Sequence, residues 1–239
     1  MAVILNIETS TNVCSVALAA EGMVLCHCED FEGHNHAALL SGFIKRCLDW
    51  LRDHEMKLDA VAVSMGPGSY TGLRIGLSEA KGLAFALDLP MIGVSTLQLL
   101  AVSAMFNNDM DPDVLLAPMI DARRMEVYTA VYDMALEPVM EPRPLILDSG
   151  SYGDLLDGRK MVFFGNGSDK FSGVTSSPNA SFIPGIVPLA TDMIALSERD
   201  YANRRFIDPA YSVPAYLKDF QATKPRNKVL EQASGAGNA

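Results

Sequence analysis

Hydrophobic positions come first as short unbroken runs between polar turns, then at helical spacing. The run over residues 3–7 predicts a buried strand, and Glu8-Thr9-Ser10-Thr11-Asn12 a polar turn. A second strand is expected over 14–19, then a tight turn at Glu21-Gly22 and a third strand over 24–29. Leu39, Leu40, Phe43, Ile44, Cys47, Leu48 and Leu51 fall on one face of a helix, with Lys45, Arg46, Asp49 and Arg52 elsewhere. A fourth strand over 60–64 enters a glycine-rich loop, a helix over 73–87 follows, and a strand lies near 91–94. Hairpins followed by crossovers predict a mixed sheet covered by helices, an α/β fold.

The second half is a shorter echo. Strands are expected over 114–121 and 126–132 and near 138–140, with a short helix within 150–156. A strand over 161–164 enters Gly165-Asn166-Gly167-Ser168, as 60–64 enters Gly66-Pro67-Gly68-Ser69. Ile120-Asp121-Ala122-Arg123 likewise stands where Ile7-Glu8-Thr9-Ser10 stands in the first half. Two landmarks in the same order indicate a duplication, each copy a small α/β unit of βββαβα type. The units are placed at 1–104 and 105–187. A helix within 188–205 is expected to pack back on the first unit, and 219–239, poor in apolar residues, to be a disordered tail.

The chain has 239 residues, 49% of them hydrophobic, enough for a substantial core. No apolar run approaches the roughly 18 residues of a membrane span, so no membrane partner is expected. The N-terminus has no basic region and reads as a core strand, which points to the cytoplasm. A net charge of −10 argues against unaided binding to a phosphate backbone. Of the four cysteines, Cys26 and Cys28 alternate with His27 in a strand and share a face, which favours packing over metal binding. His34 and His36, two residues apart, fit no common zinc pattern. Lys218, Lys224, Arg226 and Lys228 form a sparse basic tail, read as solvated.

The stretch Met65 to Gly76 carries the most information. A glycine-rich turn between strand and helix can bring backbone N–H groups to an anion. No Lys-Ser or Lys-Thr follows the last glycine and the G-x-G-x-x-G spacing is absent, so it is neither a Walker loop nor a dinucleotide fingerprint. The plainer reading is a tight turn that needs glycine. Gly66, Gly68, Ser69, Thr71 and Gly72, with Glu8 and Asp121, are the candidate anion or nucleotide set.

With its flanks this stretch resembles the TsaB (YeaZ) family, required to make threonylcarbamoyladenosine in transfer RNA. Ile7-Glu8-Thr9-Ser10-Thr11, Cys14-Ser15-Val16-Ala17-Leu18, His36 to Leu40 and Pro90 to Leu97 carry the resemblance too. So do Ile120-Asp121-Ala122-Arg123, Glu126-Val127-Tyr128 and Pro214-Ala215-Tyr216-Leu217-Lys218. It implies the fold of the actin, hexokinase and Hsp70 superfamily, two related α/β domains facing a cleft. It further implies a heterodimer with the paralogous transferase TsaD, joined by the ATPase TsaE. Transfer RNA would be met through the complex. No cofactor is expected on this chain alone, ATP or ADP belonging to the complex. The transferase holds a metal with two histidines four residues apart, and those positions here are Thr96 and Leu100. No catalytic or metal-binding residue is therefore assigned, and the resemblance implies a non-catalytic subunit. One departure is Glu8, where the family more often has Asp. The expected partner surface is Leu39, Leu40, Phe43, Ile44 and Cys47 on the first helix with Gly76, Ala80, Leu83 and Ala84 on the second, and a homodimer is expected to compete for it; the plainer reading is that both stripes bury against their own sheet. The alternatives are an independent ATPase or phosphotransferase, a degenerate metallopeptidase, and a binding role in cell-wall regulation.

Overall fold

The computed structural model describes residues 2–33 and 35–217. His34 and the basic and tail positions from Lys218 to Ala239 lie outside the described residues. The first copy runs β1 (Val3–Glu8), β2 (Cys14–Ala20), β3 (Met23–Asp30), α1 (His36–Asp53), β4 (Ala60–Gly66), α2 (Tyr70–Leu87), β5 (Met91–Ser95) and α3 (Thr96–Asn107). The second runs β6 (Leu115–Asp121), β7 (Glu126–Tyr132), β8 (Pro138–Ile146), α4 (Gly153–Leu156), β9 (Met161–Phe164), α5 (Ser168–Ser172), β10 (Ala180–Ile183) and α6 (Ile194–Ala202).

The sheet orders are β3-β2-β1-β4-β5 and β8-β7-β6-β9-β10, so the copies match strand for strand. In each, the first three strands pair antiparallel and the last two join in parallel. β1, β2 and β4 are buried on both faces, which is why they read as continuous apolar runs. The copies differ in their helices. α1 and α2 have 18 residues each, whereas α4 and α5 have four and five.

α1 and α2 cover one face of the first sheet, where Leu40, Ile44, Cys47, Leu77, Ala80 and Ala84 join Leu5, Ile7 and Val63 in one core cluster. α3 closes the other face and serves both sheets. Leu99 and Val102 pack with Ile4, Ala62 and Ile92, while Leu97, Leu100 and Ala104 pack with Leu116, Ile120 and Tyr132. α6 returns to the first sheet through Met193 and Leu196. An aromatic group of Tyr152, Phe163, Phe171 and Phe182 fills the far face of the second sheet. Among the described residues no helix is long and apolar enough to cross a membrane.

Candidate functional site

The glycine loop is fastened to the turn after β1. Gly66 has φ +104°, a region that favours glycine, and an added methyl there would meet the Leu73 side chain and the Ala215 carbonyl at 3.1 and 3.2 Å. At Gly68 a methyl would overlap the Ser10 carbonyl oxygen, at Gly72 that of Thr9, and at Gly76 the Thr9 hydroxyl. The Thr9 hydroxyl donates to the Gly72 carbonyl at 2.8 Å, and the Ser69 amide to the Ser10 carbonyl at 2.7 Å. The Ser69 hydroxyl caps α2 by accepting from the Gly72 amide at 3.2 Å. The glycines thus admit a close crossing of backbones. The Ser69 and Gly72 amides, which an anion would need, are already engaged.

Glu8 lies beneath this crossing, fully buried. Its Oε1 accepts from the Ser10 amide and hydroxyl, and its Oε2 has no partner. Burial pushes its carboxyl up to about 7 against the opposing pull of Ser10. Asp121, its counterpart at the end of β6, is exposed. It is bound by Lys170 Nζ at 2.7 Å and accepts from the Arg123 amide. The second glycine loop repeats the device. Gly165 has φ +93° and packs on the Met119 carbonyl, Gly167 donates to that carbonyl at 3.1 Å, and Asn166 Oδ1 accepts from the Asp121 amide at 2.9 Å.

Most of the residues expected as partner surface on α1 and α2 are turned inward, as in the plainer reading that the stripes bury against their own sheet. Leu40, Ile44, Cys47, Gly76, Ala80 and Ala84 are buried, and Leu39, Phe43 and Leu83 are half-buried. The Gly76-Ala80-Ala84 stripe brings α2 close to its own sheet, so its small side chains serve the chain's own core. The outward face is a different set. An open groove of about 410 Å³ is lined by Ala37, Tyr70, Thr71, Arg74, Ile75 and Ser78, with Glu79 held by Ser41 at 2.7 Å. Gly82 and Phe85 continue this face, and Phe85 is 88% exposed.

At the mouth of the groove the Arg74 guanidinium lies 4.1 Å from the Tyr70 ring centre and 6.0 Å from that of Tyr216. Arg74 Nε also donates to the Tyr216 hydroxyl at 3.0 Å. Tyr216 arrives on a strap that binds back on the first unit. The Ile207 amide donates to the Met91 carbonyl at 2.8 Å, and the Ala215 amide to the Met65 carbonyl at 2.7 Å. The sequence reading missed this cluster. The four-residue step from Tyr70 to Arg74 was visible, but the arrival of Tyr216 was not.

Several known proteins are similar to this chain. It is 31% identical over 238 residues to the tRNA threonylcarbamoyladenosine biosynthesis protein TsaB of Escherichia coli K12, covering 92% of this chain and 96% of that one. The chain belongs to the TsaB family. The TsaB of Bacillus subtilis is 37% identical over 129 residues, 54% of each chain. The family model "TsaD: tRNA N6-adenosine threonylcarbamoyltransferase" matches residues 31–141. Among solved structures, YeaZ from Pseudomonas aeruginosa superposes with TM-score 0.75 at 29% identity, over 91% of this chain and 100% of that one. A P. aeruginosa protein described as similar to the peptidase YEAZ gives TM-score 0.79 at 27% identity, with the same coverage. The fold is a duplicated α/β arrangement, which the chain shares with these two P. aeruginosa structures.

Within that family frame, the two positions compared with the transferase's histidines sit in the core between the sheets. Thr96 is fully buried and its hydroxyl has no partner. Leu100 is 1% exposed, packs with Leu116, Ile120 and Phe164, and meets the second glycine loop at Gly165. Cys26, Cys28 and Cys47 are free thiols, and among the described residues no three His, Cys, Asp or Glu side chains are grouped to hold a metal ion.

Proposed function

We propose that this chain acts in the biosynthesis of threonylcarbamoyladenosine in transfer RNA as a non-catalytic subunit, paired with the transferase TsaD and activating it. The observation that carries the reading is Leu100. Alongside family membership and the family-model match over residues 31–141, a leucine packed into the inter-sheet core removes one of the two ligands on which metal-assisted transfer would depend. A subunit without the reaction's ligands contributes through its surface, and the outward face of α1 and α2 suits that role. Along α2 the only charged residues are Arg74, Glu79 and Lys81, and the face is concave beside Arg74 and Tyr70 and ends at the exposed ring of Phe85. Tyr and Arg are the residue types that dominate interface energetics. A homodimer would use the same face in competition. TsaE, the transfer RNA and any ATP or ADP enter with the complex.

The test is reconstitution. Cognate TsaD, TsaE, threonylcarbamoyl-adenylate and transfer RNA are combined with and without this chain, and modified adenosine is quantified. Product only in the presence of the chain, with none from the chain alone, supports the reading. Equal product without the chain refutes it, and ATP turnover by the isolated chain then becomes the competing explanation to measure.

A further inference from the structure

We propose that Cys26 and Cys47 form a disulfide when the protein meets hydrogen peroxide, stapling α1 to the edge strand β3. Three of the four thiols lie on that helix and that strand, Cys47 on α1 and Cys26 and Cys28 on β3. Cys26 and Cys28 alternate with the exposed His27 and face the helix, where Cys47 lies over them. Cys47 Sγ is 4.0 Å from the Cys26 carbonyl oxygen, and the Cys26 side chain packs against the core cluster that holds Cys47. All three are free, and no arrangement among the described residues suits a metal ion. What three adjacent thiols can do without a metal is exchange two electrons with an oxidant.

The choice of pair follows from exposure and geometry. Cys26 is half-buried, whereas Cys28 is 6% exposed and Cys47 is fully buried. Burial also pushes the Cys28 and Cys47 thiols up, against an opposing pull of Arg46 on Cys28. Cys26 is therefore the sulfur an oxidant reaches first. Cys26 and Cys28 stand two residues apart in one strand, about 6.6 Å along it, with parallel side chains, so bridging them would distort the strand. Cys47 is the thiol placed to resolve an oxidised Cys26.

The chemistry closes without another reagent. The Cys26 sulfur attacks one peroxide oxygen and the O–O bond breaks, giving a sulfenic acid and water as the thiol proton is transferred. The Cys47 sulfur then attacks the Cys26 sulfur. The S–S bond forms and the S–O bond breaks, and hydroxide leaves with the Cys47 proton as a second water. Two thiols lose two electrons and one peroxide gains them.

The test treats the full chain with hydrogen peroxide, quenches with catalase, alkylates under denaturing conditions and maps peptides without reduction. The expected result is a linked pair of peptides containing Cys26 and Cys47, with titratable thiols falling from four to two and returning to four with dithiothreitol. Cys26→Ser and Cys47→Ala each abolish the pair, while Cys14→Ser leaves it intact. Far-UV circular dichroism confirms that each variant is folded, and half-buried Cys26 supplies the variant that tests the pair if Cys47→Ala does not fold. Survival of all four thiols in the wild type overturns the proposal. So does a Cys26–Cys28 or Cys28–Cys47 link, or oxidation of Cys26 to the sulfinic acid without a link.

Discussion

Two glycines on one helix should respond to the same added methyl with opposite signs. Gly76 and Gly82 both lie inside α2, so alanine at either gains about 1 kcal/mol of helix propensity. At Gly82 nothing lies within 4 Å of the new methyl, so that gain stands alone. At Gly76 the methyl overlaps Thr9 Oγ1 and sits 3.4 Å from both Thr9 Cβ and Cγ2. Thr9 is fully buried and its hydroxyl is held by the Gly72 carbonyl, so relief requires turning a stiff β-branched side chain off its partner. Leaving that hydroxyl unpaired costs about 1–3 kcal/mol, and overpacking about as much again. Against the propensity gain, the net destabilisation should be about 1–5 kcal/mol, a fall of several degrees in Tm at ~2–4 °C per kcal/mol for a chain of this size. Urea denaturation of wild type, G76A, G82A, T9A and the G76A/T9A pair measures it. Removing the Thr9 hydroxyl and methyl should relieve the overlap, so the double variant should be more stable than the sum of the singles by at least about 1 kcal/mol. A G76A variant within about 0.5 kcal/mol of wild type, or additive singles, would refute the claim that the loop is fastened through Thr9.

Glu8 gives a pH prediction. Its folded value near 7 lies above the unfolded one, so the native state holds its proton more tightly. Its contribution is then fully present below the unfolded value and is lost as pH rises towards 7, on the order of 3 kcal/mol in all. Urea unfolding of wild type and Glu8→Gln at pH 4.5 and 8 should show the wild type losing stability relative to the variant at the higher pH, and parallel curves would contradict the burial argument. Phe163 is fully buried against Tyr152, Phe171 and Phe182, so Phe163→Ala should cost about 3–5 kcal/mol, and calorimetry showing an unchanged Tm would sink that packing account. Ser78 lines the outer groove whereas Ala80 is buried, so Ser78→Arg should leave the Tm near wild type yet weaken binding to TsaD at least tenfold, while Ala80→Arg should unfold the first unit. Unchanged affinity of Ser78→Arg by calorimetric titration would remove this groove from the proposed interface.

The first sheet was legible because its strands are buried on both faces and its turns are polar. Its glycine loop and the copied loop at Gly165 stood out by the same contrast. α3 was not legible as a helix, because residues that face one sheet alternate with residues that face the other. A helix that is apolar all round carries no periodic signal. α5 and β10 are too short to show a period, and β8 ran longer than the apolar piece at 138–140 because its exposed residues alternate with half-buried ones. At the site the sequence offered an anion or a tight turn as the reason for the candidate glycines, and the structure sets Gly68 and Gly72 against the chain itself at Ser10 and Thr9. The inward turn of Gly76, Ala80 and Ala84 was one of two readings open in the sequence. A small-residue stripe fits a partner helix and an underlying sheet equally well until the sheet is in place.

The unequal helices of the two copies bear on where a partner could sit. Both copies keep the five-stranded sheet and the glycine crossing, so those parts are what each needs in order to fold. Only the first copy covers its sheet with two helices of 18 residues, whose outer sides remain open. In the second copy four- and five-residue helices leave the aromatic group to fill the same space, with Tyr152, Phe163 and Phe171 all buried. A long pair of parallel ridges with a groove between them can seat another helix pair, whereas a single helical turn offers too little length for ridges to interlock. In the proposed complex the docking surface is the first copy's α1–α2 face, and the inter-sheet helix α3 ties that face to the rest of the chain through Leu97 to Ala104.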